Sequence, residues 1–268
     1  MKKLLVERDS GKEIKINIKG KLVGGKEKLV ISGPCAVEDE NTMYKIAKGL
    51  KEIGVDVLRG GVFKPRTSPY DFQGLEYKGL KILNTIKTSL DMAASTEIMD
   101  TRDVEKAVDF IDIIQIGSRN MYNYPLLKEV GKTKLPIILK RGMSATIKEW
   151  LYAAEYIMKE GNENVILCER GIRTFEPYTR NTLDLNAVAY IKNKYRLPVI
   201  VDPSHGTGLR ELVEPMALAA ITCGADGVLI ESHINPESSI SDERQTINLE
   251  ELKLIVKKIK TISTLEDN

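Results

Sequence analysis

The 268-residue chain is short of the residues that clasp small folds together. Its three cysteines, Cys35, Cys168 and Cys223, are far apart, and no C-x-x-C occurs. That excludes a disulfide framework, a thioredoxin-type motif and a local zinc finger, and it suits a reducing cytoplasm. Only two histidines are present, His205 and His233. Long apolar runs are missing too. No stretch approaches the length of a membrane-crossing helix, and the signal-like opening MKKLL is broken at once by Glu7, Arg8 and Asp9. A soluble, cytoplasmic protein without a membrane partner is the expectation. Nor is there an excess of one charge. Forty basic against 38 acidic residues leave +2, which makes no case for nucleic acid. The motifs G-x-G-x-x-G, G-x-x-x-x-G-K-[ST] and G-x-S-x-G are all absent, so dinucleotide, P-loop and hydrolase-elbow chemistries lose support.

What remains is an ordinary globular composition, 42% hydrophobic and 29% charged, with a repeating order. Residues 1–28 form an N-terminal extension. Alternating segments around Leu4–Glu7 and Ile14–Ile18, joined by Asp9-Ser10-Gly11, predict a small β-hairpin there. From residue 29 to 268 short apolar runs alternate with helical patterns. The strand candidates are Leu29–Ser32, Val55–Leu58, Met92–Ser95, Ile111–Ile116, Pro136–Leu139, Val165–Cys168, Pro198–Val201 and Gly227–Ile230. Thr146 and Glu149 make a capping box, Gly161 a stop, and Ile147, Trp150, Leu151, Ala154 and Ile157 one apolar stripe between them. Pro215 predicts a kink or restart in the seventh helical segment. Eight β-α units in one chain argue for an α/β fold, a (β/α)8 TIM barrel, with a flat doubly wound sheet as the alternative.

In such a barrel the residues just after each strand share one mouth, where catalytic groups gather. Six of these are cations from four strand ends: Arg59, Lys64, Arg66, Arg119, Lys140 and Arg170. Converging like charges repel, so they need anions, and phosphates and a carboxylate are the sensible partners. The Gly60-Gly61 turn, Pro65 within Lys64-Pro65-Arg66-Thr67-Ser68 and Pro69 just after it restrain the second of these loops. Arg141 and Arg173 are read as rim residues. A second group, Cys35, His205, Glu231 and Asp242, offers a thiolate, an imidazole and two carboxylates. Their spacing alone is weak evidence, but mixed S/N/O donors suit Zn, Fe, Mn or Co rather than Mg or Ca.

Taken together, the segments Gly33-Pro34-Cys35, Leu58–Gly61, Lys64–Ser68, Ile116–Asn120, Leu139–Met143, Cys168–Arg173, Asp202–Gly206, Ile230–His233 and Ser241-Asp242 resemble the 3-deoxy-D-arabino-heptulosonate 7-phosphate (DAHP) synthases. The likeness runs in order over residues 29 to 247. The resemblance implies a (β/α)8 barrel that condenses phosphoenolpyruvate with erythrose 4-phosphate, the first step of the shikimate pathway. It implies one divalent transition metal ion on Cys35, His205, Glu231 and Asp242. By the same resemblance, Arg59 and Lys64 face the phosphoenolpyruvate carboxylate. Ser118, through its backbone, with Arg119, Lys140 and Arg170, holds the phosphate. Arg66, Thr67 and Ser68 take the erythrose 4-phosphate end, and Glu97 orders the site and a water. Lys64 or His205 is the expected proton donor, so Lys64, His205 and Cys35 stand as the catalytic set. A homodimer or homotetramer is implied as well. With only a short extension before the barrel, little or no inhibition by aromatic amino acids is expected.

Rival readings are the related 3-deoxy-octulosonate 8-phosphate (KDO8P) synthases, a non-catalytic sugar-phosphate-binding barrel, and a metal aldolase acting on dihydroxyacetone phosphate. The KDO8P synthases use arabinose 5-phosphate and carry Lys-Ala-Asn-Arg-Ser at the loop written here Lys64–Ser68. Their metal-independent members have asparagine where this chain has Cys35. The presence of all four candidate ligands counts against mere binding, and two histidines count against the aldolase.

Overall fold

The computed structural model describes residues 3–66 and 68–265. Two short strands, β1 (Ile16–Ile18) and β2 (Lys21–Val23), pair antiparallel at the N-terminus. Eight parallel strands follow: β3 (Leu29–Gly33), β4 (Val57–Arg59), β5 (Ala93–Glu97), β6 (Ile113–Ile116), β7 (Ile137–Lys140), β8 (Val165–Glu169), β9 (Val199–Val201) and β10 (Gly227–Glu231). They close in sequence order, with β10 pairing both β9 and β3. Closure excludes the flat sheet, and the fold is the (β/α)8 TIM barrel.

Helices cover the outside: α1 (Glu40–Ile53), α2 (Glu76–Ser89), α3 (Thr101–Ala107), α4 (Tyr124–Gly131), α5 (Ile147–Lys159), α6 (Leu185–Lys194), α7 (Pro203–Thr207), α8 (Arg210–Thr222) and α9 (Leu249–Leu265). Helix α5 starts on the capping box of Thr146 and Glu149, and its buried face includes Trp150, Leu151, Ala154 and Ile157. Trp150 also donates from Nε1 to the Leu139 carbonyl, 3.1 Å away. The helix does not restart at Pro215. The break falls at Gly208, in the left-handed conformation after α7, whereas α8 runs through Pro215. No helix among the described residues is long and apolar enough to cross a membrane.

Side chains alternate along a strand, and that alternation divides the core. Val30, Leu58, Ile114, Leu139, Leu167, Val201 and Ile230 point outward and pack under the helices. Leu29, Ile31, Val57, Ala93, Ile113, Ile138, Ile166, Ile200 and Leu229 point inward and fill the barrel floor. Ile16, Ile18 and Val23 of the hairpin join that inner cluster, so the hairpin plugs the N-terminal end of the barrel. Its make-up differs from the sequence expectation. Ile14–Ile18 does supply one strand, but its partner is Lys21–Val23, across the turn Lys19-Gly20, where both residues have positive φ (44° and 91°). Such a turn matches the strand twist. The segment around Leu4–Glu7 instead runs beside the barrel, where Glu7 bridges Tyr195.

Candidate active site at the barrel mouth

The same period of two places the chemistry. Two positions beyond the floor residues Val57, Ile138, Ile200 and Leu229 stand Arg59, Lys140, Asp202 and Glu231, and two beyond Cys168 stands Arg170. Inward-facing residues near the C-terminal ends of the strands therefore build the floor of the mouth. Arg59, Lys140, Arg170, Asp202 and Glu231 are all buried.

Cys35, Glu231 and Asp242 form one cluster, with a donor atom from each lying within 4.8 Å of the others. Cys35 Sγ donates to Asp242 Oδ2 at 2.9 Å. His205 Nε2 stands 3.5 Å from Glu231 Oε1, while its Nδ1 faces Asp202 Oδ2 at 2.8 Å. Asp202 thus orients the ring and leaves Nε2 toward the cluster, the arrangement seen around metal-binding histidines. Burial, and then the Glu231 charge, push the Cys35 thiol up to about 12, with Lys64 opposing. For Glu231 and Asp242 burial acts upward, yet His205 and the neighbouring cations hold Glu231 below, and Asp242 well below, the usual carboxylate range. A soft sulfur donor and two carboxylates in a buried pocket, with an imidazole nitrogen 3.5 Å from one of them, fit a divalent transition ion.

Beside this cluster lies a cleft of about 110 Å³, lined among others by Lys64, Arg66, Glu97, Ser118, Arg119, Lys140, Arg170, His205 and Asp242. Its cations differ in what they touch. Arg59, set behind the cleft, donates to Glu231 at 2.7 Å. Lys140 lies 2.5 Å from Asp202. Lys64 donates to the Cys35 carbonyl at 2.7 Å and to Cys35 Sγ at 2.8 Å. Arg66, Arg119 and Arg170 have no carboxylate at ion-pair distance among the described residues. Arg170 is 4% exposed, and burial together with Arg180 lowers its pKa. An unpaired buried cation is costly, so this site favours an anion.

Not every expected residue lines the cleft. The Ser68 hydroxyl accepts from Tyr70 N and serves its own turn, and Thr67 lies outside the described residues. Glu97 reaches the mouth with Oε1 buried and without a hydrogen-bond partner. Arg141 is a correction. It is no rim residue but 3% exposed, and it donates from one nitrogen to Glu169 and Asp184, each at 2.9 Å. Adjacent to inward Lys140, it points outward by alternation, as does Glu169 next to Arg170. Arg173, by contrast, is exposed.

Residues 13–265 match the family described as DAHP synthetase I. The chain belongs to the DAHP synthetase I family. It is 48% identical to the phospho-2-dehydro-3-deoxyheptonate aldolase of Thermotoga maritima, over 87% of this chain and 69% of that protein. Against the 2-dehydro-3-deoxyphosphooctonate aldolase of Geobacter sulfurreducens the identity is 31%, over 91% and 95% of the two chains. The crystal structure of the Thermotoga maritima aldolase, named DAHP synthase, superposes with a TM-score of 0.94 at 43% identity, covering 98% of this chain and 77% of that one. A truncated form of 3-deoxy-D-arabino-heptulosonate 7-phosphate synthase from the same organism gives 0.91 at 41% identity, covering 97% and 96%.

Three residues that build the site, Asp202, Arg180 and Gln245, are not among those to which the sequence reading gives a role. Asp202 opens the motif Asp202–Gly206, and its place after β9 is the one available signal. Arg180 and Gln245 sit on long loops with no local pattern to mark them.

Proposed function

We propose that the chain is a metal-dependent DAHP synthase, condensing phosphoenolpyruvate with erythrose 4-phosphate to give DAHP and inorganic phosphate. The observation that carries this is the buried Arg170, with no carboxylate at ion-pair distance among the described residues, at the cleft beside the Cys35–Glu231–Asp242 cluster. One half of the mouth calls for a phosphate and the other for a cation. The 48% identity to the heptonate enzyme, against 31% to the octonate one, supports the four-carbon aldose.

Arg119, Lys140, Arg170 and the Ser118 backbone bind the phosphate of phosphoenolpyruvate. Lys64, with Arg59 behind it, stands nearest its carboxylate, and Arg66 takes the aldose phosphate together with Thr67 and Ser68. A divalent transition ion on Cys35, His205, Glu231 and Asp242 would supply a Lewis acid for the aldehyde oxygen. C3 of the enol phosphate bonds to the aldehyde carbon, water adds at C2, and phosphate leaves by C–O cleavage. Of the two candidates for the proton donor, the geometry favours Lys64. His205 commits Nδ1 to Asp202 and turns Nε2 to the ligand cluster, whereas the Lys64 ammonium sits beside Cys35 Sγ where cleft and cluster meet. The free, buried Oε1 of Glu97 suits a hydrogen bond from the water that adds at C2. The family resemblance carries a homodimer or homotetramer working in the cytoplasm, and a monomer by sedimentation at micromolar concentration would remove the first.

The test is phosphate release from phosphoenolpyruvate with erythrose 4-phosphate, in parallel with arabinose 5-phosphate, before and after EDTA. EDTA-sensitive release with the four-carbon sugar alone is expected. Preference for arabinose 5-phosphate moves the protein to the octonate reaction. Silence with both sugars after metal is restored favours a binding barrel.

A further inference from the structure

The β10–α9 loop presents Asp242 in an unusual backbone state. Its φ is +57°, which side-chain-bearing residues seldom adopt, and such conformations persist where surrounding contacts impose them. The contacts are visible. Thr246 Oγ1 donates to the Asp242 carbonyl at 2.8 Å, and Arg180, from the loop after β8, donates from NH1 to Asp242 Oδ1 at 3.1 Å. The same Arg180 nitrogen donates to Gln245 Oε1 at 3.2 Å. Gln245 is 3% exposed, and its Nε2 donates to Glu231 Oε2 at 2.8 Å. An amide has one acceptor and one donor end, so Arg180 on the oxygen fixes which end meets Glu231. A single guanidinium thereby reaches both candidate ligand carboxylates, one directly and one through Gln245.

We infer that Arg180 and Gln245 are positioning residues that set the metal affinity of this centre by holding Asp242 and Glu231 in ligating position. The inference rests on the proposed metal centre and adds to it two residues that do not themselves ligate. Each carboxylate gives one oxygen to this network and turns the other toward the cluster, where Glu231 Oε1 also accepts from Arg59 at 2.7 Å. Asp242 gives Oδ1 to Arg180 and leaves Oδ2 beside Cys35, and Glu231 gives Oε2 to Gln245 and leaves Oε1 beside His205 and Arg59. Residues that orient metal ligands in this way typically contribute 10- to 100-fold to affinity.

The experiment titrates the metal-free full-length chain with Co²⁺ alone, reading the thiolate-to-cobalt absorption band, with Cys35→Ser as the control that abolishes it. Gln245→Met and Arg180→Met should each weaken Co²⁺ binding by about 10- to 100-fold. The double variant should lose less than the product of the two, because the residues act as one unit. With limiting metal, kcat should fall and recover as metal is raised, with KM for phosphoenolpyruvate unmoved. Circular dichroism checks folding, and if Gln245→Met does not fold, Gln245→Asn, too short to span both partners, is read in its place. Wild-type Co²⁺ affinity in the variants, with a raised KM for the aldose phosphate in Arg180→Met, would make Arg180 a substrate contact and overturn the inference alone. A wild-type chain with no cobalt band would overturn the metal centre, and this inference with it.

Discussion

Lys140 Nζ lies 2.5 Å from Asp202 Oδ2, the same oxygen that faces His205 Nδ1 at 2.8 Å. One buried carboxylate therefore ties a lysine of the cleft to the histidine that stands beside the Cys35–Glu231–Asp242 cluster. Burial alone would raise its pKa, but His205 and Lys140 outweigh it and hold Asp202 well below the usual carboxylate range. Asp202→Asn keeps an acceptor for the His205 backbone N–H, which Oδ1 now meets at 2.9 Å. It removes the charge that orders both side chains. Activity should fall by about 10- to 100-fold with the barrel still folded, as for other residues that orient a ligand histidine. Steady-state kinetics beside metal analysis check this, and unchanged kcat with full metal content would refute it.

Arg141 sits between two acids, and the pH dependence of stability should show it. Burial raises the Glu169 carboxyl, and Arg141 pulls it back. In Arg141→Met, Glu169 faces Asp184 with that cation gone, so the folded pKa of Glu169 rises further. A carboxyl with a raised folded pKa contributes stability below its unfolded value, near 4.3 for Glu, and loses it as pH climbs through the folded value. The gap between wild type and Arg141→Met should therefore widen from pH 5 to pH 8, reaching about 3–5 kcal/mol as for a broken buried pair. Glu169→Gln should cost less, because Asp184 still answers Arg141. Urea unfolding at the two pH values measures both, and a gap that narrows with rising pH would be the wrong sign.

Much of the barrel is legible in the amino-acid order, and the places where it is not have physical causes. All eight apolar runs correspond to barrel strands, yet Val55–Leu58, Pro136–Leu139, Val165–Cys168 and Gly227–Ile230 each stop one residue short. The strands' last residues are Arg59, Lys140, Glu169 and Glu231. Hydrophobicity stops where charge begins, whereas in this barrel three of these charged ends, Arg59, Lys140 and Glu231, face inward at the mouth. Arg141 passes for a rim residue because its neighbour Lys140 shares its loop but not its side of the strand. In the hairpin, alternation around Leu4–Glu7 masks the turn chemistry, although Lys19-Gly20 marks the true turn. Arg180 and Gln245 meet only through folding, and no sequence spacing could pair them.

Gly117 offers a steric test of Glu97. A Cβ at Gly117 would lie 1.9 Å from Glu97 Oε1 and 2.7 Å from its carboxyl carbon, so Gly117→Ala must displace one or the other. Because Ser118 and Arg119 follow directly, the disturbance enters the anion cleft. Gly117→Ala should lower kcat/KM for phosphoenolpyruvate by at least about 10-fold, the scale set by misplacing groups around a reacting centre. Adding Glu97→Ala removes the clash, so the double variant should regain the thermal stability that the single one loses, without regaining activity. Melting curves of the three variants decide it. A double variant no more stable than Gly117→Ala alone would mean that another contact excludes the methyl.

The barrel floor separates stability from catalysis. Ile16 is 1% exposed and packs with Ile18 and Val23 into the cluster that includes Leu29, Ile31 and Leu229. This lies at the N-terminal end of the strands, opposite the mouth. Ile16→Ala leaves a cavity in a closed, well-filled space and should cost about 2–5 kcal/mol. Ile16→Asp should cost more, since a carboxylate there would be buried without a partner. Neither change touches a residue of the cleft, so kcat per folded molecule should stay near wild type at temperatures where the variant remains folded. Thermal melts with activity normalised to folded fraction separate the two effects. Slower catalysis by fully folded Ile16→Ala would show that the plug also sets the mouth, because strands held apart at one end of a closed barrel cannot be independent at the other.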